Sequence, residues 1–151
     1  MNRLLLICSF LLCFQPAFTQ SPLGLWENAE DGEVQSYIKI YEEEGKLHGK
    51  VMHLTPEAKV THCNSCDGNE KGASLIGMDI LEDLEPSGSD WDYGTILDPK
   101  KGKRHKCKIS LADQNTLKVR GYIGSPIFGK TFKWMRCTKE LEKQYTSAAG
   151  L

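Results

Sequence analysis

The stretch Leu117-Lys-Val119-Arg120-Gly-Tyr122-Ile123-Gly124, followed by Thr131-Phe132-Lys-Trp134-Met-Arg136, decides how this chain folds. Side chains alternate across a β-strand, so Leu117, Val119 and Ile123 fall on one face and Lys118, Arg120 and Tyr122 on the other. The same strand-and-turn reading extends back through the chain. Gly24 to Trp26 opens it; Val34 to Tyr41, rich in β-branched and aromatic residues, and Leu47 to Leu54 make a hairpin around Glu42-Glu-Glu-Gly45. Leu75 to Leu81, Trp91 to Leu97, Arg104 to Leu111, Thr116 to Ile123 and Ile127 to Cys137 follow. Glu82 to Asp90, with Pro86 and Gly88, reads as a polar connection. Lys139 to Ser147 can form one short helix.

About eight closely spaced strands joined by short turns predict an all-β fold, a small antiparallel up-and-down barrel. A closed sheet of that size has an interior that side chains just fill or that holds one small ligand. The lumen is therefore the place to look for function, with Ile38, Ile40, Val51, Ile109, Leu117, Val119, Phe132 and Trp134 as its candidate lining.

The N-terminus reads as an address. Arg3, an apolar run from Leu4 to Phe14, and then Pro16-Ala17-Phe18-Thr19-Gln20 have the layout of a secretory signal peptide cut after Thr19. The run is shorter than the roughly 20 apolar residues a spanning helix needs, and no cysteine stands where a lipoprotein anchor would want one. The expectation is a signal peptide over residues 1–19 and a single barrel domain over 20–151. The exported chain, periplasmic or secreted, then has no membrane span.

Removing those 19 of the 151 residues leaves 132, enough for one core, and lowers Lys+Arg from 19 to 18 against 20 Asp+Glu. The mature formal charge is −2. The one basic cluster, Lys100-Lys-Gly-Lys-Arg104, contains Gly102 and follows Asp98-Pro99, so it reads as a turn rather than a nucleic-acid site.

Thr55 to Gly72 has no periodicity and reads as one long loop, a place where function often sits. It holds His62-Cys63-Asn-Ser-Cys66-Asp67. In an oxidising compartment a structural disulfide between Cys63 and Cys66 is the first reading. Two thiolates on zinc together with His62, or a redox pair, are the alternatives. Alternation places Cys107 on the apolar face of its strand and Cys137 on the face opposite Trp134 and Arg136, which disfavours their pairing. Asp67 to Gly72 begins like a calcium loop, but Lys71 occupies a ligand position and Met78 the closing one. His48 and His53, five apart, point to opposite faces. There is no nucleophile elbow, phosphate loop, zincin helix or triad spacing, and Glu82-Asp83-x-Glu85 and Asp90-x-Asp92 read as solvated turns. The reading points away from an enzyme and implies no cofactor and no metal site.

Three strings carry a resemblance: Gly94-x-Ile96-x-Asp98-Pro99-x-x-Gly102-Lys103, Leu117-x-Val119-Arg120-Gly121-Tyr122-Ile123-Gly124 and Phe128-Gly129-x-Thr131-x-x-Trp134-x-Arg136, with Cys63-x-x-Cys66 upstream. From Gly24 to Arg136 the chain resembles the domain of unknown function 2147 family. The resemblance implies an exported bacterial protein with a lipocalin-like or fatty-acid-binding-like barrel. It supplies no catalytic residues. His105 departs from the family's pattern, which has an aromatic residue in that slot. Lipocalin-like barrels close with a Trp and an Arg, which implies that Arg136 covers Trp26 at one end; Arg136 as the anchor of a ligand carboxylate is the alternative. Three functions stay open: a carrier of a small apolar or amphipathic ligand, a thiol or metal protein working through Cys63 and Cys66, and a structural or envelope-interaction protein with a packed lumen.

Overall fold

The computed structural model describes residues 20–148. The expected signal peptide lies outside them. Eight strands follow in order: β1 (Gly24–Glu30), β2 (Glu33–Glu43), β3 (Lys46–Leu54), β4 (Asp79–Ser87), β5 (Asp90–Asp98), β6 (Lys103–Asp113), β7 (Thr116–Tyr122) and β8 (Gly129–Arg136). Each pairs antiparallel with the next, and β1 pairs with β8 through Trp26 opposite Arg136 and Glu27 opposite Met135. The sheet is a closed barrel without a free edge, as the alternation predicts. Asp31-Gly32 and Glu44-Gly45 turn two of the hairpins with both residues at positive φ, the twist that suits two-residue loops.

A short helix, α1 (Lys139–Ala148), follows β8, with Thr138 accepting at its start from Leu141 and Glu142. It lies on the outside of β2 and β3. Glu142 pairs with Lys39, and Tyr145 stacks on Tyr37 at 5.1 Å and on His53 at 4.7 Å. Among the described residues no helix is long and apolar enough to cross a membrane.

Three expectations need correction. The fourth strand is not Leu75 to Leu81; it runs from Asp79 to Ser87, straight through the supposed polar connection. Its Leu81 and Leu84 are fully buried, and Asp83, at φ 57°, is a kink that breaks the alternation between them. The acidic residues face outward to cations, Glu82 to Arg104 and Glu85 to Lys46. Second, a register shift in the β2–β3 pairing brings His53 opposite Tyr37 while His48 is opposite Tyr41. Both histidines therefore stack on the outer face, and the expected opposition of faces fails because parity does not survive a bulge. Third, Ile123 lies just beyond the end of β7 and is exposed rather than on the inner face.

Candidate functional site

The inner face of the barrel divides by height. At the end closed by the β2–β3, β4–β5 and β6–β7 turns, Trp26, Ile40, Leu84, Ile109 and Leu117 are wholly buried against one another. Arg136 seals this base. Its guanidinium carbon lies 4.2 Å from the centre of the Trp26 ring, and it donates to Gln114 O at 2.6 Å, Leu23 O at 2.8 Å and Ser21 O at 2.7 Å. Trp26 Nε1 donates to Pro22 O at 2.8 Å. Burial holds the Arg136 pKa below its ordinary value. With its donors spent on backbone carbonyls, Arg136 closes the barrel and does not border the cavity at the other end.

At the opposite end a cavity of about 530 Å³ opens between the β1–β2 turn, the long β3–β4 connection, the β5–β6 turn and the β7–β8 loop. Val51, Phe132 and Trp134 border it, as expected of lumen residues. Ile38, Ile40, Ile109, Leu117 and Val119 do not; they are fully buried in the packed half. Alternation tells inside from outside but not height along the barrel, and the larger inward side chains fill the base. The residues that leave room were missed. Ser36 and Gly121 stand on the inward parity of β2 and β7, two residues from Ile38 and Val119, and both border the cavity. A small residue at an inward position next to large ones is the signal that could have found them.

The rim is charged. Lys59, Lys100, Lys101, Lys130 and His105 border the mouth together with Glu30 and Asp98. Lys100 donates to both Glu30 carboxylate oxygens, at 2.9 and 3.0 Å, and Lys59 to Asp31 at 2.6 Å. These bonds hold both carboxyls below the usual range, Glu30 chiefly through Lys100 and Asp31 chiefly through Lys59. Among the described residues Lys101 and Lys130 have no carboxylate within 4.0 Å. The Lys130 ammonium lies 4.9 Å from the centre of the Phe132 ring, which borders the cavity.

Cys63 and Cys66 form a disulfide, which occupies the thiols that a zinc site needs, and both are buried, which keeps an attacking thiolate from the sulfurs that a redox pair would exchange through. Cys63 O accepts from Cys66 N and Gly72 N, and its own N–H donates to Ala73 O, so the disulfide staples the connection into a closed loop. That loop lies on the Pro99–Gly102 turn at the mouth. Gly102 is at φ +62°, and a Cβ there would fall 1.9 Å from Ser65 O. The Cys-x-x-Cys and the Asp-Pro-x-x-Gly strings are thus two sides of one contact. His62 is exposed, 3.0 Å from the Thr61 hydroxyl. Cys107, turned into the barrel, and Cys137, at the far end of β8, are both free and buried, and burial pushes each thiol up to about 12. Neither is a nucleophile at neutral pH.

A closed, up-and-down, eight-stranded barrel with one sealed end and one open end is the lipocalin-like architecture. The chain belongs to the family described as uncharacterized protein conserved in bacteria (DUF2147), whose model matches residues 24–136. It is similar to a solved structure from the human pathogen Helicobacter pylori described as belonging to the lipocalin family, with 18% identity, a TM-score of 0.71, and coverage of 83% of this chain and 89% of that one. At that identity the likeness speaks for the fold. No curated protein matches the chain.

Proposed function

We propose that the protein is a carrier that holds one small amphipathic molecule in the open half of the barrel, apolar body inward and anionic head at the rim. The observation that carries this reading is the half-filled lumen. Wholly buried apolar side chains fill the base, and the cavity of about 530 Å³ above them lies in the ordinary range of small-molecule sites. Its floor is Val51, Ile96, Phe132 and Trp134, and among the described residues Lys101 and Lys130 at its rim have no carboxylate within 4.0 Å. An ammonium at the edge of a low-dielectric cavity favours a negative head over a neutral or positive one. A wholly packed structural barrel would leave no such volume.

The test is fluorescence of 1-anilinonaphthalene-8-sulfonate, an apolar body with an anionic head. Its emission should rise on addition of the protein, fall again when dodecanoate competes, and fall less with dodecylamine. Lys101→Ala/Lys130→Ala should weaken the anion while leaving the melting temperature unchanged. Absence of any emission change, or equal competition by the amine, would sink the reading.

The carrier is proposed to work outside the cytoplasm, after cleavage following Thr19. The Cys63–Cys66 disulfide supports this, because such bonds persist in oxidising compartments. Mass spectrometry of the N-terminus of protein recovered from the periplasm or medium tests it, with Gln20 as the expected first residue.

A further inference from the structure

The outer face of β6, β7 and β8 carries Lys106, Lys108, Lys118, Arg120 and Lys133, each on the parity opposite to buried Cys107, Ile109, Leu117, Val119 and Trp134. The register sets like charges directly opposite one another, Lys108 against Arg120 and Lys118 against Lys133. Cross-strand like charges destabilise a sheet. Among the described residues none of the five has a carboxylate within 4.0 Å. Two acids on these and the adjoining strand are engaged with other partners: Asp92 accepts from the Tyr122 hydroxyl, and Asp113 accepts from Asn115 N in the β6–β7 turn. In a chain of formal charge −1 this is a concentrated positive face kept at a cost to the fold.

At the mouth end of that face the β7–β8 loop holds three large apolar side chains in water: Ile123 is 69% exposed, Ile127 81% and Phe128 73%. The loop is built to keep them there. Arg120 donates to Pro126 O at 2.7 Å, to Ile127 O at 3.3 Å and to the Thr131 hydroxyl at 2.8 Å, and Ile123 N donates to Phe128 O at 3.1 Å. An exposed apolar cluster on a braced loop marks a contact surface.

We propose that the β6–β8 face and the β7–β8 tip dock the barrel on an anionic phospholipid surface. The cations meet lipid headgroups and Ile127 and Phe128 enter the headgroup–acyl boundary, the division of labour by which basic, apolar-tipped surfaces hold membranes. A nucleic acid would use the charges and leave Ile123 and Ile127 in water. Ile123 and Phe128 also border the cavity, so docking brings the open mouth against the bilayer.

Cosedimentation of the purified protein with vesicles tests this without any cavity ligand. Vesicles of phosphatidylcholine containing phosphatidylglycerol should retain it, vesicles of phosphatidylcholine alone should not, and salt should release it. Lys106→Gln/Lys118→Gln should weaken binding roughly thirtyfold, at about fivefold for each cation near the surface. Lys108→Gln/Lys133→Gln should do the same and melt no lower than wild type, because it removes one partner from each like-charge pair. Ile127→Ser/Phe128→Ser should weaken it by about tenfold with all charges in place. Equal retention by both vesicle types, retention by neither, or unchanged binding of the tip variant overturns the proposal. Duplex DNA held as tightly as the anionic vesicles, with no effect of the tip variant, would replace the bilayer by a nucleic acid.

Discussion

The base and the mouth of this barrel are made of the same eight strands, and they differ in what each strand turns inward. Down β2 the inward side chains run Ser36, Ile38, Ile40; down β7, Gly121, Val119, Leu117; down β6, His105, Cys107, Ile109; down β8, Lys130, Phe132, Trp134. In each strand the member nearest the mouth is small or polar and the one nearest the base is larger and apolar. The base is therefore filled, with Trp26, Leu84, Ile109 and Leu117 wholly buried. The mouth, starved of volume, holds a cavity. One taper, shared by these four strands, makes one half a core and the other a site.

If the base alone carries the stability, its largest side chain is the place to break it. Trp26→Ala removes a wholly buried indole, its bond to Pro22 O, and the surface on which Arg136 lies. The loss should be about 3 to 5 kcal/mol, a large share of a small domain's stability, read by urea unfolding. A loss under about 1 kcal/mol would mean that the first strand does not close the barrel.

The mouth should tolerate more. Cys63→Ser/Cys66→Ser opens a loop of only four residues, for which loop closure contributes about 2 kcal/mol. The melting temperature should fall by less than in Trp26→Ala. Hydrogen exchange should speed up in the Thr55–Met78 connection and stay slow in β2 and β7. Fast exchange throughout the barrel would show that base and mouth unfold as one unit.

Much of the base is legible in the sequence, because alternation in Leu117 to Arg120 and Ser36 to Tyr41 shows which side chains turn inward. The Trp26 and Arg136 contact lies where the family resemblance implies it. The fourth strand is hidden by its own surface: Glu82, Asp83 and Glu85 look like a solvated turn until Lys46 and Arg104 supply their partners from strands far away in the chain. The site is the least legible part. Alternation assigns Ile38 and Ser36 to the same face and says nothing of their height, which is fixed only when the strands are paired in register. The basic face is illegible for the same reason, since its five cations come from three strands and form no run.

Outside the base, α1 adds a smaller term with its own pH signature. Burial alone would raise the Glu142 pKa, but its bond to Lys39, with help from Lys139 and Arg136, brings it below the ordinary 4.5. A carboxyl depressed in the folded state contributes stability above its unfolded pKa and loses it as pH falls through the folded value. Glu142→Gln should therefore cost about 0.5 to 1 kcal/mol at neutral pH. In melts across the pH range the gap from wild type should close below pH 4.5. A gap independent of pH would mean that the pair with Lys39 is not what fastens the helix.

The smallest change in stability should come from filling the mouth, and it bears most directly on the contrast between the two halves. Ile96 is half-buried on β5, borders the cavity and faces Leu81 across the β4–β5 pair. Replacing it by Trp adds volume where there is already space. The overpacking that costs about 1 to 3 kcal/mol in a filled core should then be nearly absent, and the melting temperature should stay within about a degree or two of wild type. The same residue would occupy much of the room for a ligand, so enhancement of anilinonaphthalenesulfonate emission should disappear. The matched change in the base, Val119→Trp, has no space to enter and should unfold the protein or cost several kcal/mol. If Ile96→Trp destabilises as much as Val119→Trp, the mouth is packed in solution and the taper makes no site. If it leaves both stability and dye binding untouched, the dye binds elsewhere and the carrier reading falls with it.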